Sequence, residues 1–295
     1  MATFVGRKTE LEIMQQFTKK KTASLLVIRG RRRIGKSRLL EEFAKPYTFY
    51  AFSGIPPTKK TTAQSQRDEF AIQLSEQTGL PEVRADDWSK LFYLLAEKLQ
   101  KGRIIVLLDE ISWMGSKDPN FLGKLKNVWD LKFKKNHQLI LILCGSASSW
   151  IEKNILSSTG FLGRISYTMT LDELSLKDCQ QFWDRAGKNI SAMEKLKILS
   201  VTGGVPKYLE EINPILSAED NIKNLCFTKG GFLTNEFENI FSDLFLRKSD
   251  MYKKIVMTLS SGDKEIKEIC GLLKIQQTGR LTEYLEELEL AGFVK

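Results

Sequence analysis

Residues 30–37 read Gly-Arg-Arg-Arg-Ile-Gly-Lys-Ser, between the apolar run SLLVIRG (24–30) and a stretch of helical spacing from Lys36 to Ala44. A strand that feeds a G-x-x-x-x-G-K-[ST] loop and then a helix leaves few folds open. Gly30 and Gly35 are expected to let the backbone turn tightly and aim several N–H groups inward. The following helix adds its amino-terminal dipole and free N–H donors. Lys36 is expected to place a point charge against the β- and γ-phosphates of a nucleotide, with the Ser37 hydroxyl on Mg2+. Arg31, Arg32 and Arg33 occupy variable positions beside Ile34, and Arg38 follows Ser37. The three arginines either touch phosphate or a neighbouring subunit, or are solvated or paired with acidic surface residues.

Short β-branched apolar runs recur at 47–54, 103–110, 139–146 and 165–171. Runs of this kind read as strands buried on both faces of a parallel sheet. Helical spacing fills the gaps at 63–78, 88–100 and 121–135, so an α/β domain is expected to end near Leu171. The 103–110 run ends in Asp109-Glu110. Asp109 is expected to hold the Mg2+ water shell and Glu110 to act as general base on the attacking water. Ser146 ends the next run and is the candidate that orients that water. Alternatively Ser146, Ser148 or Ser149 caps the helix running through Trp150 to Leu156. Arg164 precedes the fifth run. It either reaches the γ-phosphate of a neighbouring subunit or forms a surface salt bridge.

The 295 residues carry 45 Lys+Arg against 36 Asp+Glu, a net charge of +9, which invites a nucleic-acid reading. Residues 1–45 hold 12 Lys/Arg and 4 Asp/Glu, a net of +8, so the excess looks like one concentration that serves the phosphate loop. The 42% hydrophobic content excludes a disordered tail. No run approaches the roughly 18 apolar residues of a spanning helix, and no signal peptide is seen, so a cytoplasmic protein without a membrane role is expected. Cys144, Cys179, Cys226 and Cys270 are far apart and read as reduced packing residues, and the single histidine, His137, reads as a surface residue.

Together these elements resemble the AAA+ superfamily, and within it the STAND group and an archaeal/bacterial ATPase family. The resemblance rests on Phe4-Val5-Gly6-Arg7-Lys8-Thr9-Glu10-Leu11, on residues 30–37, on Leu108 to Met114, on Cys144-Gly145-Ser146, on Gly163-Arg164 and on Thr202 to Tyr208. It implies a sheet of order 5-1-4-3-2 in a nucleotide-binding domain (1–172), a helical lid (173–232) and a winged-helix-like unit (233–295). It further implies that Phe4, Val5, Gly6 and Arg7 wrap the adenine, that Pro206 reports nucleotide state from the lid, and that ATP and Mg2+ are the ligands. No sensor arginine stands beside Pro206, where the chain has Lys207.

In the last segment, Ile266, Ile269, Leu272 and Leu273 mark one amphipathic helix. A second runs from about Gln277 with Leu281, Leu285, Leu288 and Leu290 on its buried side. This resembles a helix-turn-helix of the winged type. Residues 292–294 would open its first wing strand, so the wing is incomplete and the natural chain is expected to continue. Thr278 and Arg280 would begin a recognition helix. Residues 263–295 carry 5 Lys/Arg and 7 Asp/Glu, a poor balance for DNA. The leading reading is an ATP-hydrolysing switch acting on a protein partner or effector domain, with homo-oligomers possible in principle. Alternatives are a DNA-binding initiator or loader, a non-hydrolytic nucleotide-holding scaffold, and a P-loop kinase.

Overall fold

A computed structural model describes residues 4–58, 60–146, 149–184, 190–245, 249–276 and 279–294. Ser148, Gln277 and Thr278 lie outside them. The five apolar runs become strands β1 (Ser24–Gly30), β2 (Thr48–Ser53), β3 (Ile104–Asp109), β4 (Ile140–Ser146) and β5 (Ile165–Leu171). They form one sheet of order β2-β3-β4-β1-β5, the expected 5-1-4-3-2 read from the other edge. The pairs β1·β5, β2·β3 and β3·β4 are parallel, with Gly30 opposite Leu171 and Ser53 opposite Asp109. Between these groups the Ser24 N–H donates to the Leu139 carbonyl at 2.9 Å, which sets the start of β1 beside the start of β4. The ends of β1 and β3 therefore point the same way, and in such sheets ligands bind at the carboxyl ends of the strands.

Contacts divide the chain into two units. The first holds the residues up to Gly30, Gly35–Gly145 and Trp150–Asp172. The second holds Arg31–Ile34, Ser146–Ser149 and everything from Glu173 onward. In the first unit, β1, β3 and β4 are almost wholly buried, as continuous apolar strands require. One face of the sheet meets an aromatic cluster carried by helices Ala63–Thr78, Trp88–Lys98 and Phe121–Leu131. Phe70 stacks on Phe52 at 4.4 Å, and Trp88 meets Phe121 edge-on at 4.8 Å. Thr62 starts the first of these helices in a capping box with Ser65, and the Asp87 carboxylate caps the second by accepting from the Ser89 N–H. The third stops at Leu131 rather than Lys135, because the chain tightens into a single 3-10 turn at Phe133–Lys135.

The second unit is helical. Pro206 takes the first position of helix Pro206–Glu210, where its missing N–H costs nothing. Gly204 is needed for a close approach: a Cβ there would lie 2.3 Å from the Leu174 carbonyl oxygen. A separate core gathers Phe241, Tyr252, Ile255, Ile269, Leu281 and Leu288 from helices Glu236–Phe245, Ser249–Leu259, Ile266–Leu273 and Gly279–Leu290. Three residues expected inside are exposed: Ile266, Leu272 and Leu290. The apolar stripe on each of these helices is wider than the face its neighbours cover. Residues 292–294 form no strand. Phe293 instead packs 4.6 Å from Phe241, so its side chain completes the core. No helix among the described residues is long and apolar enough to cross a membrane.

Candidate functional site

In the first unit, the end of β1 passes into helix Lys36–Ala44 through Gly35, whose φ is 89°. The other left-handed residue of the loop is Arg33 (φ 65°), not Gly30. Gly30 ends β1, and its carbonyl accepts a hydrogen bond from Lys36 Nζ at 3.0 Å. The lysine is 7% exposed, so its charge is held inside the loop. Ser37 Oγ donates to Asp109 Oδ2 at 2.8 Å, bringing a hydroxyl from the first motif onto the carboxylate of the second. Asp109 Oδ1 accepts from the Glu110 N–H at 3.0 Å. Two hard oxygen donors meeting from different elements fit a divalent cation such as Mg2+.

Glu110 itself is left-handed (φ 50°, ψ 48°) and precedes helix Ile111–Gly115. A non-glycine residue in that region costs about 1 kcal/mol or more and turns the chain sharply off the strand. The turn presses on Gly54, where a Cβ would lie 3.0 Å from the Glu110 carbonyl oxygen. It also places the Glu110 carboxylate close to Gly145 near the end of β4. Cys144 is fully buried beside Asp109. Burial first, and then that carboxylate, push its thiol well above the ordinary range. Gln66, also buried, bonds both the N–H and the carbonyl of Ile55 and ties down the strand exit at β2. The sequence reading missed Gly54 and Gln66, since neither carries a motif.

At the amino terminus, Gly6 and Arg7 are both left-handed, which starts helix Lys8–Thr18 with a tight turn. The Arg7 guanidinium turns inward. It bonds Glu10 at 2.8 Å and the Asp172 carbonyl at 2.5 Å, so it fastens this turn to the end of β5. Phe4 and Val5 stay half-buried. Arg38 lies 3.5 Å from Glu41 one turn along its own helix. Arg164 stands before β5, and parallel pairing puts it at the opposite end of the sheet from the phosphate loop. There its Nε and Nη2 grip both oxygens of Asp130 at 2.8–3.1 Å.

The second unit holds the middle of the phosphate loop. Arg31 pairs with Glu173 at 2.9 Å and lies over the Phe293 ring. Arg33 Nη2 lies 3.0 Å from Glu236 Oε2, with its guanidinium 4.5 Å from the centre of the Phe232 ring. Glu236 is no surface acid. It is 5% exposed and accepts the Tyr208 hydroxyl at 2.7 Å. Burial, and then that bond, push the Tyr208 hydroxyl above its ordinary range. The two guanidinium groups are thus directed at carboxylates and rings. Glu173 also accepts from the Gly204 N–H at 3.2 Å, so the 202–208 motif and the arginines share partners. Glu173, Phe232 and Glu236 were not singled out in the sequence. Only Tyr208 lay in a quoted motif. Ser149 Oγ, one of three alternative helix caps, donates to Glu287 at 2.9 Å. That acid also accepts the Tyr252 hydroxyl and is not free to face solvent.

A family profile for an ATPase domain predominantly from Archaea matches residues 4–212. The chain is 24% identical over 294 residues to an uncharacterised protein of Methanocaldococcus jannaschii, and it spans 62% of that relative's length. Among solved structures it is similar to a Walker-type ATPase of Pyrococcus abyssi (TM-score 0.73, 17% identity, 98% of this chain and 90% of that one). It is also similar to the ORC2 protein of Aeropyrum pernix (TM-score 0.59, 14% identity, 99% and 87%), solved with ADPNP and ADP. At these identities the structural likeness speaks for the fold.

Proposed function

The chain belongs to the family of ATPase domains found predominantly in Archaea, and we propose that it is a slow Mg-ATP-hydrolysing switch whose nucleotide state is passed to its C-terminal helices. One observation carries the switch reading: Arg31 and Arg33, inside the phosphate loop, are ion-paired with Glu173 and Glu236 among the later residues. A phosphate group that reshapes the loop backbone must then disturb those pairs.

In this reading the loop N–H groups and Lys36 hold the β- and γ-phosphates, and Phe4 and Val5 cover the base. Ser37 and Asp109 would hold Mg2+, which when bound neutralises charge on the phosphate oxygens. Glu110 accepts a proton from a water whose oxygen bonds to the γ-phosphorus. The bond from that phosphorus to the β–γ bridging oxygen breaks, leaving ADP and phosphate. Ser146 orients that water. Arg164 serves a nucleotide only across a subunit boundary. Pro206 acts by starting the helix that carries Tyr208.

The test is nucleotide binding and phosphate release by the purified chain, with Lys36→Ala and Glu110→Gln beside it. The reading expects Lys36→Ala to lose ATP affinity and Glu110→Gln to bind ATP without turnover. Unchanged affinity in Lys36→Ala overturns it. Turnover absent from the wild type, with Glu110→Gln indistinguishable from it, favours a nucleotide-holding scaffold.

A further inference from the structure

The net positive charge is not concentrated around the phosphate loop alone. Lys19, Lys20 and Lys21 are exposed and stand before β1, at the end of that strand remote from Gly30. Seven residues of strand separate the two, roughly 20 Å. At the lysine end a cavity of about 890 Å³ opens among three approach segments. Thr22 and Ala23 line it before β1, Lys134, Lys135 and His137 before β4, and Arg164 before β5. These three strands are neighbours in the sheet, so the segments converge.

Asp130 sits in the wall of this cavity and gathers Arg164, Lys126 and Lys134 within 3.2 Å. The Arg164 hydrogen bonds, ahead of the two lysines, hold its carboxyl below the usual carboxylate range. One acid meeting three cations leaves the cluster positive while fixing its shape. Residues 126–137 contain four lysines and this single acid, and the 19–21 run adds three lysines and no acid. The C-terminal segment 263–295, whose sequence resembles a helix-turn-helix, is acidic by comparison.

We infer that this concave basic face binds the phosphodiester backbone of a nucleic acid. Most of its cations are lysines, point charges suited to successive phosphates rather than to the paired oxygens of a carboxylate. The cations are spread over three segments, lysines before β1 and before β4 and Arg164 before β5, which fits an extended polyanion better than a single phosphate group. A concave surface admits a strand, whereas a bilayer presents a plane. Backbone contacts carry no sequence information, so binding is indifferent to sequence and steeply weakened by salt.

The experiment is an anisotropy titration of a labelled oligonucleotide, single-stranded and duplex, without nucleotide, at about 50 and about 200 mM salt. Wild type is expected to bind, with affinity falling steeply between the two salts. Lys19→Glu/Lys21→Glu and, separately, Lys135→Glu are expected to weaken binding about tenfold and to lower the salt slope by about one per lysine. The milder Lys135→Gln variant should fall between, with unchanged thermal melting in each case. Lys36→Ala should bind the oligonucleotide as wild type does, which separates this site from the nucleotide reading. No wild-type binding at the lower salt overturns the inference. So does equal binding by the variants, or loss confined to Lys264→Glu/Lys267→Glu in the C-terminal segment. Capture by phosphatidylserine vesicles but not by oligonucleotide overturns it, as does a lysine-dependent self-association with no oligonucleotide bound.

Discussion

Arg33 and Glu236 are more than 200 positions apart in sequence, yet Arg33 Nη2 lies 3.0 Å from Glu236 Oε2, with the carboxylate side chain 7% exposed. Glu236 also takes the Tyr208 hydroxyl, so Arg33, helix Pro206–Glu210 and helix Glu236–Phe245 share one buried acid. Both residues lie in the second unit, and no sequence motif pairs them.

Breaking this pair from one side leaves a largely desolvated charge. Glu236→Ala is expected to cost about 3 kcal/mol, whereas an Arg33→Met/Glu236→Leu double variant should cost clearly less than the two singles combined. Tyr208→Phe removes one donor and is expected to cost about 1 kcal/mol. Urea unfolding of Arg33→Met, Glu236→Leu and their double variant gives the coupling directly. Additive losses would remove the case for a shared unit.

The same acid is expected to set nucleotide response. Glu236→Gln keeps the shape and weakens the hold on Arg33, so ATP affinity should change while Lys36 and Ser37 remain in place. Isothermal titration with ATP and with ADP measures it. Equal affinities in wild type and variant would detach the pair from the nucleotide.

Glu110→Gln should lower the rate of phosphate release by about a hundredfold or more, with ATP affinity retained, because the amide keeps the bulk but cannot take the proton. Single-turnover kinetics with radiolabelled ATP separates binding from chemistry. A parallel fall in affinity would mean that Glu110 acts on the loop conformation instead.

Gly204→Ala places a methyl group against the Leu174 backbone, where it would lie 2.3 Å from the carbonyl oxygen. Backbone cannot rotate away as a side chain can, so a loss of about 2 kcal/mol or more is expected, with the protein still able to fold in its first unit. Limited proteolysis, reading cleavage in residues 173–295 against cleavage in the sheet domain, distinguishes local from global loss.

Asp130 gives a pH dependence. Its folded-state carboxyl is held below the ordinary value, chiefly by Arg164, so its stabilising effect is complete above the unfolded pKa of about 4. That effect fades as pH falls from there through the lower folded value. Wild type should therefore lose a few degrees of thermal midpoint in acid relative to neutral pH, and Asp130→Asn should lose less over the same range. Melting curves from neutral pH down to about pH 3 test this. Parallel curves for the two proteins would assign the acid sensitivity elsewhere.

Much of this protein was legible in its sequence because the informative features are local. Apolar runs long enough for buried strands, helical spacing between them and a loop of fixed spacing led to the five strands, their parallel arrangement and the phosphate loop. The motif residues Lys36, Ser37, Asp109 and Glu110 could be named because strand ends place such groups by register. Side-chain partners between distant segments could not be read this way. Nothing in the sequence pairs Arg33 with Glu236, sets Cys144 beside Asp109 or turns Arg7 onto the Asp172 carbonyl, because each depends on which surfaces folding buries together. Local propensity also failed to tell that Arg33, rather than Gly30, takes the left-handed turn. How the charge divides in space was not legible for the same reason. Lys19–Lys21 and the phosphate loop are near neighbours in sequence, but a strand runs straight between them and carries them to opposite ends of the sheet.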